Sequence, residues 1–514
     1  MTDGLTTNPG DPPRRVLFRP LVQVVLLLAV CLVIYWPMLG KAGFSGTEGH
    51  RAIPAYHMLD SGDWLVPHLF GRPYLRKPPG MPWAIAGASV LFGETEFAAR
   101  SVSALAATLS SLVALGFGRR WFGPAGGLYA GLCQALMPIF WSSARSADIE
   151  SLMLLGVQVA ALAAVDLVVS PRPTRSTGLM ALLMACGIAL AGLTKGPSGA
   201  TAFLSTLAAV AFAARSPRPL LHPSLLAGLA AGLAPVALIF WMIAHRAAGA
   251  PAPPVTQAVD EFLWQQGKTA QVLLLAPSAL VMALPGSLAL LFPWGPDAKA
   301  EHHLPPALPF PRALPIARIL TIAVVLSLAV LTVAGISNPR YAMPTQMLIA
   351  PVAGYFGLGL TGLFILKRPP IARAFLLGHP LIMAGGLLVA SLVLLSTAEA
   401  RRTRVAGTEA GELIAHAVPA GATIWADHLI EARPDVLWYA ARAAPGLKIE
   451  WKPLAAAPLL PPDGVFLVLR DDEDAGDYRK YADAGLLASL REVSRGSVYQ
   501  YSFRVLARSE NAPR

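Results

Sequence analysis

Eleven apolar runs, each about as long as a bilayer is thick, constrain this 514-residue chain more than any other feature. They fall near residues 21–40, 97–117, 124–141, 149–170, 177–193, 197–214, 223–244, 271–292, 316–335, 341–366 and 374–397. A helix needs about 20 apolar residues to cross the hydrocarbon core. Backbone polar groups have no water to bond there, so such runs must be helical. Residues 81–93 and the proline-rich stretch 293–315 leave room for one or two more. The expected fold is therefore mainly α, a polytopic membrane helix bundle of about 11–13 spans. Only 14% of residues are charged, against about 25% in soluble domains.

The formal net charge of +11 does not point to nucleic acid. The basic residues lie between apolar runs rather than on one soluble face, a pattern that sets membrane orientation. Arg14, Arg15 and Arg19 precede the first run, which predicts a cytoplasmic N-terminal tail over 1–20. Alternation then puts Arg119–Arg120, Arg172–Arg175, Arg215–Arg218 and Lys367–Arg373 on the same side. Residues 41–81, 245–268 and 337–341 fall on the opposite, periplasmic side of an inner membrane. The run Leu21–Leu39 is too long for a signal-peptide core and has no small-residue cleavage site, so it reads as a retained helix. Cys31, Cys133 and Cys186 are scattered through apolar runs and read as small buried hydrophobes rather than a disulfide or metal framework.

Beyond the transmembrane unit, 21–400, the composition changes. Residues 401–514 regain charge and predict a small periplasmic α/β domain, with strands at Thr423–Ala426, Gly464–Leu469 and Ser497–Val505. Helices are predicted at Glu409–Val418, Pro434–Arg442 and Tyr478–Arg491.

Chemistry-bearing residues gather at the periplasmic ends. The first outer loop offers Glu48, His50, His57, Asp63, His68, and the cations Arg51, Arg76 and Lys77. Asp148 and Glu150 lie where the third run gives way to the fourth; Lys195 follows the fifth; Arg340 and Tyr341 sit between the ninth and tenth. Ionisable side chains at a membrane segment are costly and mark function by default. Each has a plainer reading. Asp148 suits a helix N-cap, Lys195 can snorkel, Arg340 and Tyr341 can anchor at the interface, and the histidines are more often structural than metal ligands. Carboxylates beside cations supply what glycosyl transfer from a lipid phosphate needs. A base takes the acceptor proton, and positive groups stabilise the departing phosphate.

The runs Glu48–Pro78, with Ser61-Gly-Asp-Trp-Leu-Val-Pro-His68 and Arg76-Lys-Pro78, then Asp148, Thr194-Lys-Gly196 and Asn338-Pro-Arg-Tyr-Ala-Met-Pro344 resemble a known family. It is the bacterial aminoarabinose transferases that modify lipid A, within the protein O-mannosyltransferase-like group of GT-C enzymes. The resemblance covers roughly 20–400. It implies a GT-C fold, a periplasm-facing site and an inverting transfer from a polyprenyl-phosphate sugar donor to lipid A, another glycan or a protein. It implies Glu48 and Asp148 as catalytic carboxylates, and Lys77, Lys195, Arg340 and Tyr341 at the carrier phosphate. His50 and Arg51 join these as substrate-binding candidates. No metal or cofactor is expected; membrane lipids are the remaining partner. The sequence departs from the family at Thr47, where the family has Asp, at His50, where it has Arg, and at Arg76, where it has Glu. A threonine cannot be a carboxylate base, so that role passes to Glu48 or Asp148, or the protein is altered or inactive. A non-catalytic binder of lipid-linked sugar is one alternative. A transporter or flippase is another, but it would carry midplane charges and often internal repeats.

Overall fold

The computed structural model describes residues 19–169, 174–247, 269–284, 286–291, 310–361, 385, 407–454, 458–471 and 477–509. The expected span 374–397, Gly385 apart, the basic segments 14–15 and 367–373, and the boundary at 400/401 lie outside them.

The helices in chain order are α1 Pro20–Tyr35, α2 Gly49–Ser61, α3 Gly80–Phe92, α4 Glu96–Leu136, α5 Pro138–Ala144 and α6 Ile149–Val169. They continue with α7 Thr174–Lys195, α8 Ala200–Ala213, α9 Pro223–Arg246, α10 Thr269–Leu273, α11 Leu275–Met282 and α12 Phe310–Val333. Then come α13 Met343–Gln346, α14 Ile349–Thr361, α15 Thr408–Ala417, α16 His428–Ala432, α17 Pro434–Ala443 and α18 Asp477–Asp483.

Among the described residues, five continuous helical segments are long and apolar enough to cross a membrane. Two of them each hold two of the expected spans. Within α4 the chain reverses at Gly123, whose φ of 74° is left-handed, followed by Pro124. Glycine accepts that conformation without a Cβ clash, and proline lacks the N–H that would continue the ladder. The segment Ser176–Ala213 reverses at Gly196, where φ is +69°. The expected spans at 271–292 and 341–366 are instead broken. The first is α10, α11 and a 3-10 turn at Gly286–Leu291; the second starts with a 3-10 turn at Pro339–Ala342 and continues as α13 and α14. Prolines at 277, 285 and 344 and glycines at 286, 354 and 357 weaken a continuous helix there.

Small residues let these helices touch backbone to backbone. A Cβ on Gly187 of α7 would lie 2.5 Å from the carbonyl oxygen of Gly156 on α6, and one on Gly126 would lie 2.7 Å from that of Gly354. Lipid supplies no hydrophobic drive for helices to associate, so close contact between small residues is a main source of packing energy. The alternation of helices sorts the charges. Arg119 bonds Gln23, and Arg120 pairs with the buried Asp166 at 3.1 Å, at one end of the bundle. Arg100, Asp148, Glu150, Lys195 and Arg340 lie at the other.

The C-terminal domain is a five-stranded sheet in the order β4-β3-β5-β7-β6, with β3 Thr423–Ala426, β4 Lys448–Trp451, β5 Val465–Arg470, β6 Leu490–Val498 and β7 Tyr501–Arg508. The first two strands of the chain, β1 His68–Leu69 and β2 Arg72–Pro73, form a separate small antiparallel ribbon inside the first loop. In the sheet, β3 pairs in parallel with β4 and β5, while β7 runs antiparallel to β5 and β6. The predicted strands at Thr423–Ala426 and Gly464–Leu469 and the helices at 409–418 and 434–442 appear within a residue or two. The predicted strand 497–505 is in fact a hairpin turning at Tyr499 and Gln500, with Tyr499 at φ 55°. The predicted helix 478–491 stops at Asp483, because Gly485 turns left-handed and the chain then enters β6.

The crossing of α6 and α7 makes a prediction with a sign. Alanine stabilises a helix over glycine by up to about 1 kcal/mol where space allows. Gly178→Ala, with no atom within 4 Å of the new Cβ, should therefore leave the melting temperature in detergent unchanged or raise it. Gly187→Ala should lower it by several degrees. Equal behaviour of the two variants would contradict the packing.

Candidate functional site

The site is built around Arg100, which is 0% exposed at the start of α4. Thr95 caps this helix, its side chain accepting the Ala98 N–H, so the first turn is held firmly. All five guanidinium N–H groups are used. Nη1 donates to the carbonyls of Leu39 and Ala42 at 2.7 and 2.6 Å. Nη2 donates to the carbonyl of Gly43 at 2.8 Å and to Oε2 of Glu48 at 2.7 Å, and Nε to Oε1 of Glu48 at 2.8 Å. Glu48 is just as fully engaged. Its Oε1 also accepts the Ala147 N–H at 2.9 Å, and its Oε2 the Ser45 N–H at 2.9 Å. Thr47 beside it is exposed. The Glu48 carboxylate thus ties the first loop to α4 and to the residue before Asp148.

A second cluster lies next in the chain. Asp148 accepts the Ile149 N–H through Oδ1 at 2.8 Å and Arg340 Nη2 through Oδ2 at 2.5 Å. Glu150, 1% exposed in the first turn of α6, accepts Lys195 Nζ at 2.6 Å and lies 3.1 Å from Arg340 Nη2, both through Oε1. Its Oε2 is buried without a hydrogen-bond partner. Lys195, at the C-terminal end of α7, also sits over the ring of Tyr341 at 5.2 Å. The residues Asp148, Lys195, Arg340 and Tyr341, singled out from far-apart motifs, therefore meet in one place. Glu150, which the resemblance does not single out, bridges both cations.

Lys77 belongs to the first loop. It is half-buried, two residues before Pro79 and three before Gly80. A Cβ on Gly80 would lie 2.6 Å from the Leu193 carbonyl oxygen, so this loop end abuts the turn that carries Lys195. Arg76 beside it is exposed.

His50 and Arg51 are engaged elsewhere, His50 with the C-terminal domain and Arg51 within the first loop. His50 Nε2 meets the carbonyl of Glu431 on α16 at 2.7 Å, and Arg51 Nη1 donates to the Tyr74 hydroxyl at 3.3 Å. His57 and His68 stack 5.0 Å apart, and Asp63 accepts the N–H groups of Leu65 and Val66 in a local turn. Around His50 the C-terminal domain docks on the first loop. The Tyr439 hydroxyl accepts the Phe44 N–H at 2.7 Å and donates to Glu96, and Trp438 packs against Phe44 and Tyr56. The start of α2 lies so close to α17 that a Cβ on Gly49 would meet the Asp435 backbone nitrogen at 3.0 Å.

Comparison with known proteins fits this geometry. Residues 76–241 match the family described as dolichyl-phosphate-mannose-protein mannosyltransferase. An undecaprenyl phosphate-alpha-4-amino-4-deoxy-L-arabinose arabinosyl transferase of Pseudomonas savastanoi is 41% identical over 101 residues, 19% of each chain. The protein of that name from Aeromonas salmonicida is 30% identical over 179 residues, 34% of this chain and 32% of its own. The matched regions thus span about a fifth to a third of the length of these relatives. Over nearly the whole chain, the crystal structure of ArnT from Cupriavidus metallidurans in the apo state superposes with a TM-score of 0.69 at 17% identity, covering 94% of this chain and 97% of that one. The same protein bound to undecaprenyl phosphate gives 0.66, covering 95% and 98%. The fold is that of these two ArnT structures. In sequence, parts of the chain are similar to the arabinosyl transferases named above and to the mannosyltransferase family model.

Two measurements test this site. Breaking a buried ion pair from one side costs about 3–5 kcal/mol. Glu48→Gln and Arg100→Met should each lower the thermal stability of the solubilised protein sharply, and the double variant should be less destabilised than the sum of the two. Strict additivity would show that the pair is not coupled.

The second concerns His50. Burial first, then the Arg51 guanidinium, push its pKa down from 6.5 to about 3. The folded protein keeps it neutral while the unfolded chain protonates below 6.5. Stability from this group is therefore present above 6.5 and lost as pH falls toward 3, by up to about 1.4 kcal/mol per unit. The melting temperature should fall across that window, and His50→Gln should flatten the fall. An unchanged slope would refute the buried neutral imidazole.

Proposed function

We propose that this protein is a glycosyltransferase of the inner membrane, moving a sugar from a polyprenyl-phosphate carrier to a periplasmic acceptor. The observation that carries the reading is the meeting of Asp148, Glu150, Lys195, Arg340 and Tyr341 at one end of the bundle, on a GT-C fold. The named activity of the sequence relatives supports the donor class. Arg119 and Arg120, between two of the long helical halves, lie at the opposite end of the bundle. By the positive-inside rule that end is cytoplasmic. The N-terminus then starts inside, and the site and the C-terminal domain face the periplasm.

In the proposed reaction the acceptor oxygen attacks the anomeric carbon of the donor sugar. The carbon–oxygen bond to phosphate breaks, and the carrier leaves as a phosphate monoester. The acceptor proton passes to the Asp148 carboxylate, which is 16% exposed and held in the first turn leading into α6. Lys195 and Arg340, with Lys77 from the first loop, stabilise the charge that grows on the phosphate. Tyr341 packs beside Lys195 and keeps its ammonium over the site. Glu48 is spent on Arg100, Ala147 and Ser45, so its role is to hold the catalytic loop rather than to take a proton. His50 and Arg51 shape the same loop against the C-terminal domain. Lipid A, another envelope glycan and a protein are the acceptor classes in play. The occupied state of Glu48, together with Thr47, also supports a second reading in which the chain binds lipid-linked sugar without transferring it.

Mass spectrometry of envelope glycolipids and glycoproteins from cells with and without the gene separates the two. Transfer predicts one sugar missing from one acceptor. Asp148→Asn should then lower transfer by about 100-fold or more, with expression retained. Wild-type transfer by that variant, or no difference between the cells, would overturn the proposal.

A further inference from the structure

The cation pair in the site is already neutralised. Lys195 and Arg340 carry two positive charges, and Asp148 and Glu150 two negative ones, all within direct contact. A carrier phosphate entering such a cluster finds no unbalanced cation in it. It must take Lys195 and Arg340 from the carboxylates. The two carboxylates are not equally placed for this. Asp148 is 16% exposed at its side chain and keeps the Ile149 N–H when Arg340 leaves. Glu150 is 2% exposed at its side chain, holds both cations through one oxygen, and leaves the other oxygen buried without a partner. A carboxylate whose second oxygen has no donor is poorly satisfied, which makes its hold on the two cations a competition rather than a permanent arrangement.

We infer that Glu150 is a resident counter-ion that competes with the carrier phosphate for Lys195 and Arg340, and so sets how tightly the carrier is held and how readily it leaves. This rests on the proposed phosphate site. Its consequence is specific to the transfer cycle. After transfer the carrier is a monoester with more negative charge than the diester donor. Lys195 and Arg340 would hold it more strongly at the moment when it has to go. A carboxylate waiting at 2.6 Å from Lys195 offers those cations another partner and weakens retention of the product. When Arg340 moves to phosphate, its bond to Asp148 is given up as well, which frees the Asp148 oxygen for the acceptor proton. Donor binding thereby exposes the base.

The test uses the full-length protein in detergent micelles and undecaprenyl phosphate as the probe, with affinity measured directly. Removing the Glu150 charge should tighten binding: Glu150→Gln by about tenfold, a modest share of one close charge pair near the protein surface. Glu150→Asp, which keeps the charge, should stay nearer to wild type. Asp148→Asn, which also removes a competitor of the phosphate for Arg340, should tighten binding too; if Glu150→Gln does not yield folded protein, Glu150→Met supplies the neutral variant. In transfer assays Glu150→Gln should be inhibited by added undecaprenyl phosphate at lower concentrations than wild type. Binding that is unchanged or weaker in the neutral Glu150 variant, while Lys195→Gln weakens it, would overturn the counter-ion role and leave the phosphate site standing. Lys195→Gln with undiminished binding, or no binding to the wild type, would instead remove the phosphate site itself.

Discussion

The structure depends on a guanidinium taken wholly out of solvent. Arg100 satisfies every one of its N–H groups on three carbonyls and one carboxylate. A buried charge is tolerated only with this degree of compensation. The carbonyls belong to the segment after α1, the carboxylate to the start of α2, and the arginine to α4. That carboxylate in turn receives the N–H of Ala147, the residue before Asp148. One ion pair therefore fixes the relative position of three helices and of the turn that presents Asp148. Electrostatics at this depth is geometry: moving any partner by an ångström strands a charge.

That pair also explains which parts of the site were legible in the sequence. The long apolar helices were, because bilayer thickness sets their length and apolar character marks it; α6, Ile149–Val169, begins where the expected span does. Lys195, Arg340, Tyr341 and Asp148 were recognisable because topology puts their segments at one end. Arg100 was missed. It sits inside a run read as a span, 97–117, and an arginine inside an apolar run was itself a signal that a partner must exist. Glu150 was undervalued because spacing alone does not say which of two carboxylates, two residues apart, faces the cations at the start of a helix. In the C-terminal domain the buried strand β5, Val-Phe-Leu-Val-Leu-Arg, was plain. The edge strand β4, half polar and only four residues long, carried too little pattern to read.

The C-terminal domain is more than an appendage to the bundle. Its helix α17 lies against α2, Tyr439 bridges Phe44 and Glu96, and the N–H of Gly407 donates to the Phe44 carbonyl at 3.1 Å. Phe44 itself stacks its ring toward Arg100, 5.8 Å away. The domain thus packs on the back of the loop whose front carries Glu48. The Arg433–Asp435 pair, buried at 2.7 Å, sits at this contact and braces α17 from within. His50 is held neutral between the two, so the interface favours conditions in which the imidazole is uncharged.

Rigidity and exchange are divided between two neighbouring charge clusters. Around Arg100 every donor and acceptor is matched, and the arrangement resists change. Around Lys195 the matching is incomplete: one oxygen of Glu150 is orphaned, Arg340 is nearly half-exposed, and two carboxylates share it. Charges that are fully satisfied by their own protein have little to gain from a ligand, whereas charges held in an imperfect internal pairing can trade partners at modest cost. A site that must grip a lipid phosphate and then release it needs the second kind of cluster built on a foundation of the first. The hydrogen bond from Ala147 to Glu48 joins the two within a single residue of chain.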